Sequence, residues 1–201
     1  CSRPAIKGEC NYCMRLTGEG RLQKVEEEEW QSPNLPGPKP RLWEEAAVSQ
    51  VLNVAEETVR SCVSNLKLRA KVIRKERAIG LVPGGKAAFK LAPNGHGSNK
   101  IKREALNEVA LSVQEALRTA SPPISIPFCA FNGGRDVWID VGNKAVGVEV
   151  MQAFLHIPPE SSLHVGDQFL SVGNDYAARG STPCIWIVSP NETIKVLEHL
   201  L

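Results

Sequence analysis

The stretch Leu163-His164-Val165-Gly166-Asp167-Gln168-Phe169-Leu170-Ser171-Val172-Gly173-Asn174-Asp175 decides how the chain is read. A short apolar strand ends in Gly-Asp, and a second aspartate follows eight residues on. In an open parallel sheet, ligands bind beyond the carboxyl ends of the strands. Asp167 therefore stands where sites occur. Gly166 permits a tight turn, and a carboxylate is the hard oxygen ligand that Mg²⁺ takes. The same letters also suit a solvent-facing turn, because Gly-Asp and Asn-Asp are common turn formers. Spacing alone leaves both readings open.

Downstream, Cys184–Val188 (CIWIV) is a continuous apolar run of the buried parallel type. Ser189 as N-cap, Pro190 at the first helical position and Glu192 completing a capping box predict a helix after it. Upstream, Lys144 opens a short helix to Leu155 with Val148, Met151, Phe154 and Leu155 on one side. A cation at a helix start opposes the helix dipole, so Lys144 is either solvated or faces an anion. Asn132-Gly133-Gly134-Arg135-Asp136 allows a tight hairpin or a close backbone approach to a ligand. Strands over 124–131, 136–141, 162–165 and 184–188 alternate with helices, which implies a parallel α/β sheet in the last third. The part before residue 135 is read as a separate unit.

That earlier part has two helices by periodicity. Val48, Val51, Leu52, Ala55, Val59, Cys62, Val63 and Leu66 share one face; Leu106, Val109, Ala110, Val113 and Leu117 share another, ended by Pro122-Pro123. Residues 70–82 read as one bent strand or two, 7–25 as short strands around Gly18-Glu19-Gly20, and 32–40 and 92–99 as loops rich in turn formers. The basic run Lys71, Arg74, Lys75 and Arg77 is interrupted by Glu76 and carries no interleaved aromatics for base stacking. It reads as a solvated strand face, with phosphate or nucleic-acid contact as the alternative.

Composition narrows the class. The 201 residues are 42% hydrophobic and 23% charged, with net charge +2 and a pI near 8.3, which gives no strong pull toward nucleic acid or membrane. No run approaches the roughly 20 apolar residues of a membrane helix, and no signal peptide is visible. Cys10 and Cys13 form a CxxC without the second pair or histidine that a zinc site of about four ligands needs. Three of the six cysteines sit in apolar runs, which fits a reducing cytoplasmic compartment. The chain begins with Cys1 rather than Met, and a fragment of a longer protein is expected.

As a set, Lys144, the short helix after it, Gly166-Asp167 and Asn174-Asp175 resemble the third and fourth motifs of the haloacid dehalogenase superfamily. VIRKERAIG at 72–80, FCAFNGGRDVWIDVGNKAVG at 128–147, LHVGDQFLSVGNDYAARG at 163–180 and WIVSPNET at 186–193 look like the IMP-specific 5'-nucleotidase family, as does GECNYCMR at 8–15 more loosely. The resemblance implies a haloacid-dehalogenase-like parallel sheet, here its C-terminal half over 136–201, and an α+β cap domain over 1–135. It implies Lys144 as the phosphate-binding lysine, Asp136 as an IMP-binding acid, Asp167 as a Mg²⁺ ligand and Asp175, the second acid of that motif, as a further Mg²⁺ ligand.

It further implies hydrolysis of IMP to inosine and phosphate through an aspartyl-phosphate, with ATP as activator and a homo-oligomeric state. The superfamily's Asp-x-Asp strand end, which carries the nucleophile and the acid/base, has no match here. Asp136 and Asp140 have the wrong spacing and position for it. Both catalytic aspartates are expected upstream. The alternatives are a non-catalytic nucleotide-binding fragment or pseudoenzyme, and a small nucleic-acid-binding domain built on 42–82, which leaves the Asp167 segment unexplained.

Overall fold

The computed structural model describes residues 13–30, 35–39, 42–84 and 100–200. Cys10, residues 85 and 92–99, and most of GECNYCMR lie outside them, as do parts of the 7–25 and 32–40 segments. The elements run β1 (Cys13–Leu16), β2 (Leu22–Val25), α1 (Glu27–Trp30), α2 (Glu45–Asn65), β3 (Ala70–Arg74), β4 (Ala78–Pro83), α3 (Arg103–Arg118), β5 (Phe128–Asn132), β6 (Val137–Val141), α4 (Lys144–Leu155), β7 (His164–Gly166), β8 (Cys184–Trp186) and α5 (Pro190–Leu200).

The centre is a four-stranded sheet in the order β3-β4-β6-β5, antiparallel throughout. Because side chains alternate across a strand, Ile79 and Leu81 of β4, Val137 and Ile139 of β6 and Ala130 of β5 fall on one face. There they are buried with Val51, Val59, Leu106, Val109 and Val113 of α2 and α3. Helix α3 buries the face that periodicity assigned it; α2 buries Val48, Val51, Leu52, Ala55 and Val59, while Cys62 and Val63 are half-buried and Leu66, just past its end, is exposed.

The opposite face carries Gly80, Trp138 and Phe131 in one cross-strand row, and Ala78, Asp140 and Cys129 in the next. A Cβ on Gly80 would stand 2.6 Å from the Trp138 ring, so only glycine lets that indole lie flat on β4.

This sheet differs from the parallel one expected over the last third. Residues 133–136 join β5 to β6, and parallel strands need a crossover of a dozen or more residues. Asn132 Oδ1 accepts the Gly134 N–H at 2.7 Å, and Gly133 N–H donates to the Asp136 carbonyl at 2.9 Å, closing a hairpin. Gly134, at φ +88°, supplies the backbone conformation that the turn requires. Residue 135 thus lies inside a hairpin whose two strands pair over their whole length.

The one parallel pair among the described residues is β7–β8. Its surroundings are less buried than a core strand's, with Trp186 55% and Val188 81% exposed. Helix α5 begins where expected, but the Glu192 carboxylate accepts the N–H of Val188 rather than that of Ser189. In α4, Val146, Val150 and Gln152 are buried while Met151 and Leu155 are exposed. The buried face is turned because Gln152 donates to Ser162 Oγ and the Ser181 carbonyl, at 2.8 and 2.9 Å.

Candidate functional site

Asp175 is the hub of the site. It is fully buried, and both its oxygens are taken up. Oδ1 accepts from Lys144 Nζ at 2.6 Å and pairs with His164 Nε2 at 2.7 Å. Oδ2 accepts the backbone N–H groups of Asp167 and Gln168, at 3.1 and 2.9 Å. Burial pushes the carboxyl up, but hydrogen bonds from Lys144, His164 and the Gln168 N–H outweigh it and hold it down at about 2. Asp175 is therefore a carboxylate at neutral pH.

The sequence builds this hub locally. Gly166 ends β7, and a Cβ there would sit 2.5 Å from Asp175 Cγ, so glycine is what allows the carboxylate to pack against the strand end. His164 is two residues before Gly166 and shares its side of the strand. Residues 168–175 fold back on themselves, with Asp175 N–H donating to the Gln168 carbonyl at 3.0 Å. At Gly173 a Cβ would collide with that same carbonyl. The loop is latched to the antiparallel sheet: Asn132 N–H donates to the Val172 carbonyl at 2.8 Å, and Gln114 Nε2 bridges the Ala130 and Ser171 carbonyls.

Lys144 enters from the first turn of α4, capped by Asn143, whose side chain accepts the Val146 N–H at 3.1 Å. Its Nζ also donates to Asn174 Oδ1 at 3.0 Å, while part of the side chain stays exposed. The anion that Lys144 faces within this chain is Asp175, which offsets the unfavourable helix-dipole position.

The Asp167 side chain is exposed and makes no hydrogen bond or ion pair among the described residues. It lines a cleft of about 320 Å³ with Arg103, Asn107, Asn132, Gln168 and Trp186. Among the described residues, Gln168 Oε1 is buried without a hydrogen-bond partner. Trp186 Nε1 donates to the Asp167 carbonyl at 3.0 Å and fixes that backbone.

The structure thus brings Lys144, Asp167 and Asp175 into one hydrogen-bonded group. Asp136 is not a member; it sits in the β5–β6 turn, its side chain crowding Gly133. The sequence reading missed His164 and Asn174. Strand parity with Gly166 was the available signal for the first, and adjacency to Asp175 for the second.

A hard carboxylate with no other partner at a strand end suits Mg²⁺, so Asp167 fits the ion. The oxygens of Asp175 already face four donors. Among the described residues no three His, Cys, Asp or Glu side chains cluster as a metal site.

Solved structures with this arrangement of elements class the chain with α/β nucleotidases. An IMP-bound point mutant of the Plasmodium falciparum IMP-nucleotidase superposes with a TM-score of 0.76 at 33% identity, covering 94% of this chain and 45% of that one. The ATP-bound form of the same protein gives 0.68 at 34% identity, covering 91% and 39%. A family model described as IMP-specific 5'-nucleotidase matches residues 5–197, and the chain belongs to that family. IMP-specific 5'-nucleotidase 1 of Schizosaccharomyces pombe is 40% identical over 196 residues, which is 96% of this chain and 44% of the relative. The Yarrowia lipolytica protein of the same name is 37% identical over 198 residues, 96% and 43%. The chain therefore spans less than half the length of these relatives.

Proposed function

We propose that residues 1–201 are part of an enzyme that hydrolyses IMP to inosine and phosphate, with the attacking carboxylate and the acid/base supplied by sequence outside this chain. The observation that carries the reading is Asp175, which accepts from the Lys144 ammonium of α4 with one oxygen and from the backbone N–H of Asp167 with the other, leaving the Asp167 carboxylate uncommitted among the described residues. The IMP-bound neighbour and the family match support the substrate.

In this reading Lys144 holds the phosphoryl group as charge spreads over its oxygens in the transition state. Asp175 and His164 fix where the Lys144 ammonium points. Asp167 is the residue of this chain that would hold Mg²⁺, and the ion, when bound, neutralises phosphoryl charge. Asp136 is assigned to IMP binding by resemblance. Covalent catalysis through an aspartyl-phosphate splits one difficult displacement into two easier steps.

The haloacid-dehalogenase-like sheet is then represented here by β7–β8, with further parallel strands covering Trp186 and Val188. The antiparallel sheet with α2 and α3 serves as the cap. ATP activation and homo-oligomerisation follow the same resemblance, with the ATP-bound neighbour in support of the first. No helix among the described residues is long and apolar enough to cross a membrane, and Cys62, Cys129 and Cys184 are free thiols, as a cytoplasmic setting allows.

The test is phosphate release from IMP with Mg²⁺ by the complete protein and by chain 1–201. The complete protein is expected to turn over at an ordinary enzyme rate, on the order of 10 s⁻¹, and the chain alone not at all. Lys144→Ala in the complete protein is expected to lower kcat/KM by about 3–4 kcal/mol in barrier terms, while Lys71→Ala leaves it near wild type. Equal effects of the two substitutions would overturn the assignment of Lys144.

A further inference from the structure

Helix α3 turns one polar stripe toward the loop that carries Asp167. Arg103, Asn107 and Gln114 stand at i, i+4 and i+11, so they share a face. Gln114 Nε2 donates to the Ala130 and Ser171 carbonyls, at 2.9 and 2.8 Å. Asn107 Oδ1 accepts from Asn132 Nδ2 at 2.7 Å, and Asn132 Oδ1 is taken by the Gly134 N–H. Arg103, at the helix start, is the member of the stripe with no hydrogen bond or ion pair among the described residues. Its exposed side chain lines the same cleft of about 320 Å³ that Asp167 lines.

Both walls of this cleft are fixed. Leu106, Val109 and Val113 bury a neighbouring side of α3 in the core, and Gln114 ties the helix to the Asp167 loop through Ser171. Apolar Leu170 and Val172 stand beside carboxamides in the lining, with Arg103 as its one cation and Asp167 as its one anion. Lys144 lies across a single carboxylate from it, because Asp175 holds the Lys144 ammonium with one oxygen and the Asp167 N–H with the other. The phosphoryl end of a substrate therefore belongs at the Asp167 end. The rest of the cleft, neutral hydrogen-bonding edges beside apolar ones, suits the uncharged part of a nucleotide. The β5–β6 turn that carries Asp136 borders it through Gly134.

We infer that Arg103 is a specificity-determining residue, whose guanidinium donates to O6 and N7 of a 6-oxopurine base lying in the Asp167 cleft. The inference rests on the IMP phosphatase reading and deepens it. The choice of base follows from donor counting. A guanidinium carries donors only, in a planar fork. A 6-oxopurine presents two acceptors, O6 and N7, along one edge, and a bidentate arginine matches them. A 6-aminopurine keeps N7 but puts an amino group in place of O6, so that N–H would face N–H. With the phosphoryl end assigned to Lys144 and Asp167, the base is the part of the substrate left to Arg103.

The experiment is steady-state kinetics of the complete protein with IMP, together with the inhibition constants of inosine, adenosine and inorganic phosphate. Arg103→Gln is expected to raise the KM for IMP and the inosine constant about tenfold or more, and to leave the adenosine and phosphate constants within about twofold. Arg103→Lys, whose ammonium also donates to O6 and N7, is expected to recover most of the loss. Arg118→Gln removes an exposed cation, paired with Glu115, from the far end of α3 and should change none of these constants. An Arg103→Gln protein that melts as wild type and keeps the inosine constant within about twofold overturns the inference. An equal rise for inosine and adenosine overturns it too, because Arg103 then does not read the O6 edge. In either event a large loss of activity in Lys144→Ala shows that the phosphatase reading stands without it. A complete wild-type protein that releases no phosphate from IMP fails that reading, and the inference with it.

Discussion

The antiparallel unit and the β7–β8 region handle burial in opposite ways. In the first, α2, α3 and the four-stranded sheet enclose a core in which Val51, Val59, Ile79, Leu106 and Ile139 are fully buried. In the second, the fully buried side chains are Asp175 and the small Ala178, while Trp186, Val188, Ile194, Leu197 and Leu200 are exposed. One region is stabilised by apolar packing that closes on itself. The other is held by a carboxylate with four donors and by latches onto its neighbour through Asn132 and Gln114. The difference teaches where stability and chemistry reside: the sheet supplies a scaffold, and the polar loop supplies a site whose apolar surroundings are not completed among the described residues.

That contrast can be broken by substitution. Leu106→Ala removes a fully buried side chain between α3 and the sheet and is expected to cost about 2–5 kcal/mol of stability, read by urea denaturation. An acid titration sharpens the other side. Because the folded carboxyl of Asp175 lies at about 2 against an ordinary 3.8, its contribution is present above about pH 4 and lost as pH falls from about 4 toward 2. The linked stability is about 2 kcal/mol. Asp175→Asn should flatten the loss over that window, and an unchanged acid profile would contradict the hub. The smallest effect is expected at Leu197→Ala in α5, within about 0.5 kcal/mol, because that side chain is already half exposed.

Much of the scaffold was legible. The periodicities of α2 and α3 gave their buried faces, because a helix that buries one stripe must repeat its apolar residues. The direction of the sheet was not, since a five-residue apolar run has the same pattern whether its neighbour runs parallel or antiparallel. The Gly133-Gly134 turn held that information, and its bland reading as a hairpin is the one the structure shows. At the candidate site, Lys144, Asp167 and Asp175 were singled out because their order along the chain resembles known motifs, and the structure brings them close through the hydrogen bonds of Asp175. His164 was passed over because its one signal, strand parity with Gly166, shows which side it takes but not that a buried carboxylate meets it there. The basic run at 71–77 looks uniform in one dimension, but Arg74 pairs with Glu56 and Lys75 lies over the Trp138 ring; the pleat sends the two to opposite faces.

The central claim is that the Asp167 carboxylate, held at a strand end by Asp175 through its own N–H, serves the metal of a phosphatase. Activity of the complete protein against IMP, measured over a range of Mg²⁺ concentrations for wild type, Asp167→Asn and the exposed control Glu160→Gln, tests it most directly, with thermal melting to confirm folding. Asn keeps the size and the turn geometry but removes the charge. The expected result is a native melt, a steep loss of activity and partial recovery at high Mg²⁺ for Asp167→Asn, with Glu160→Gln unchanged. A folded Asp167→Asn with wild-type activity and wild-type Mg²⁺ dependence would contradict the account.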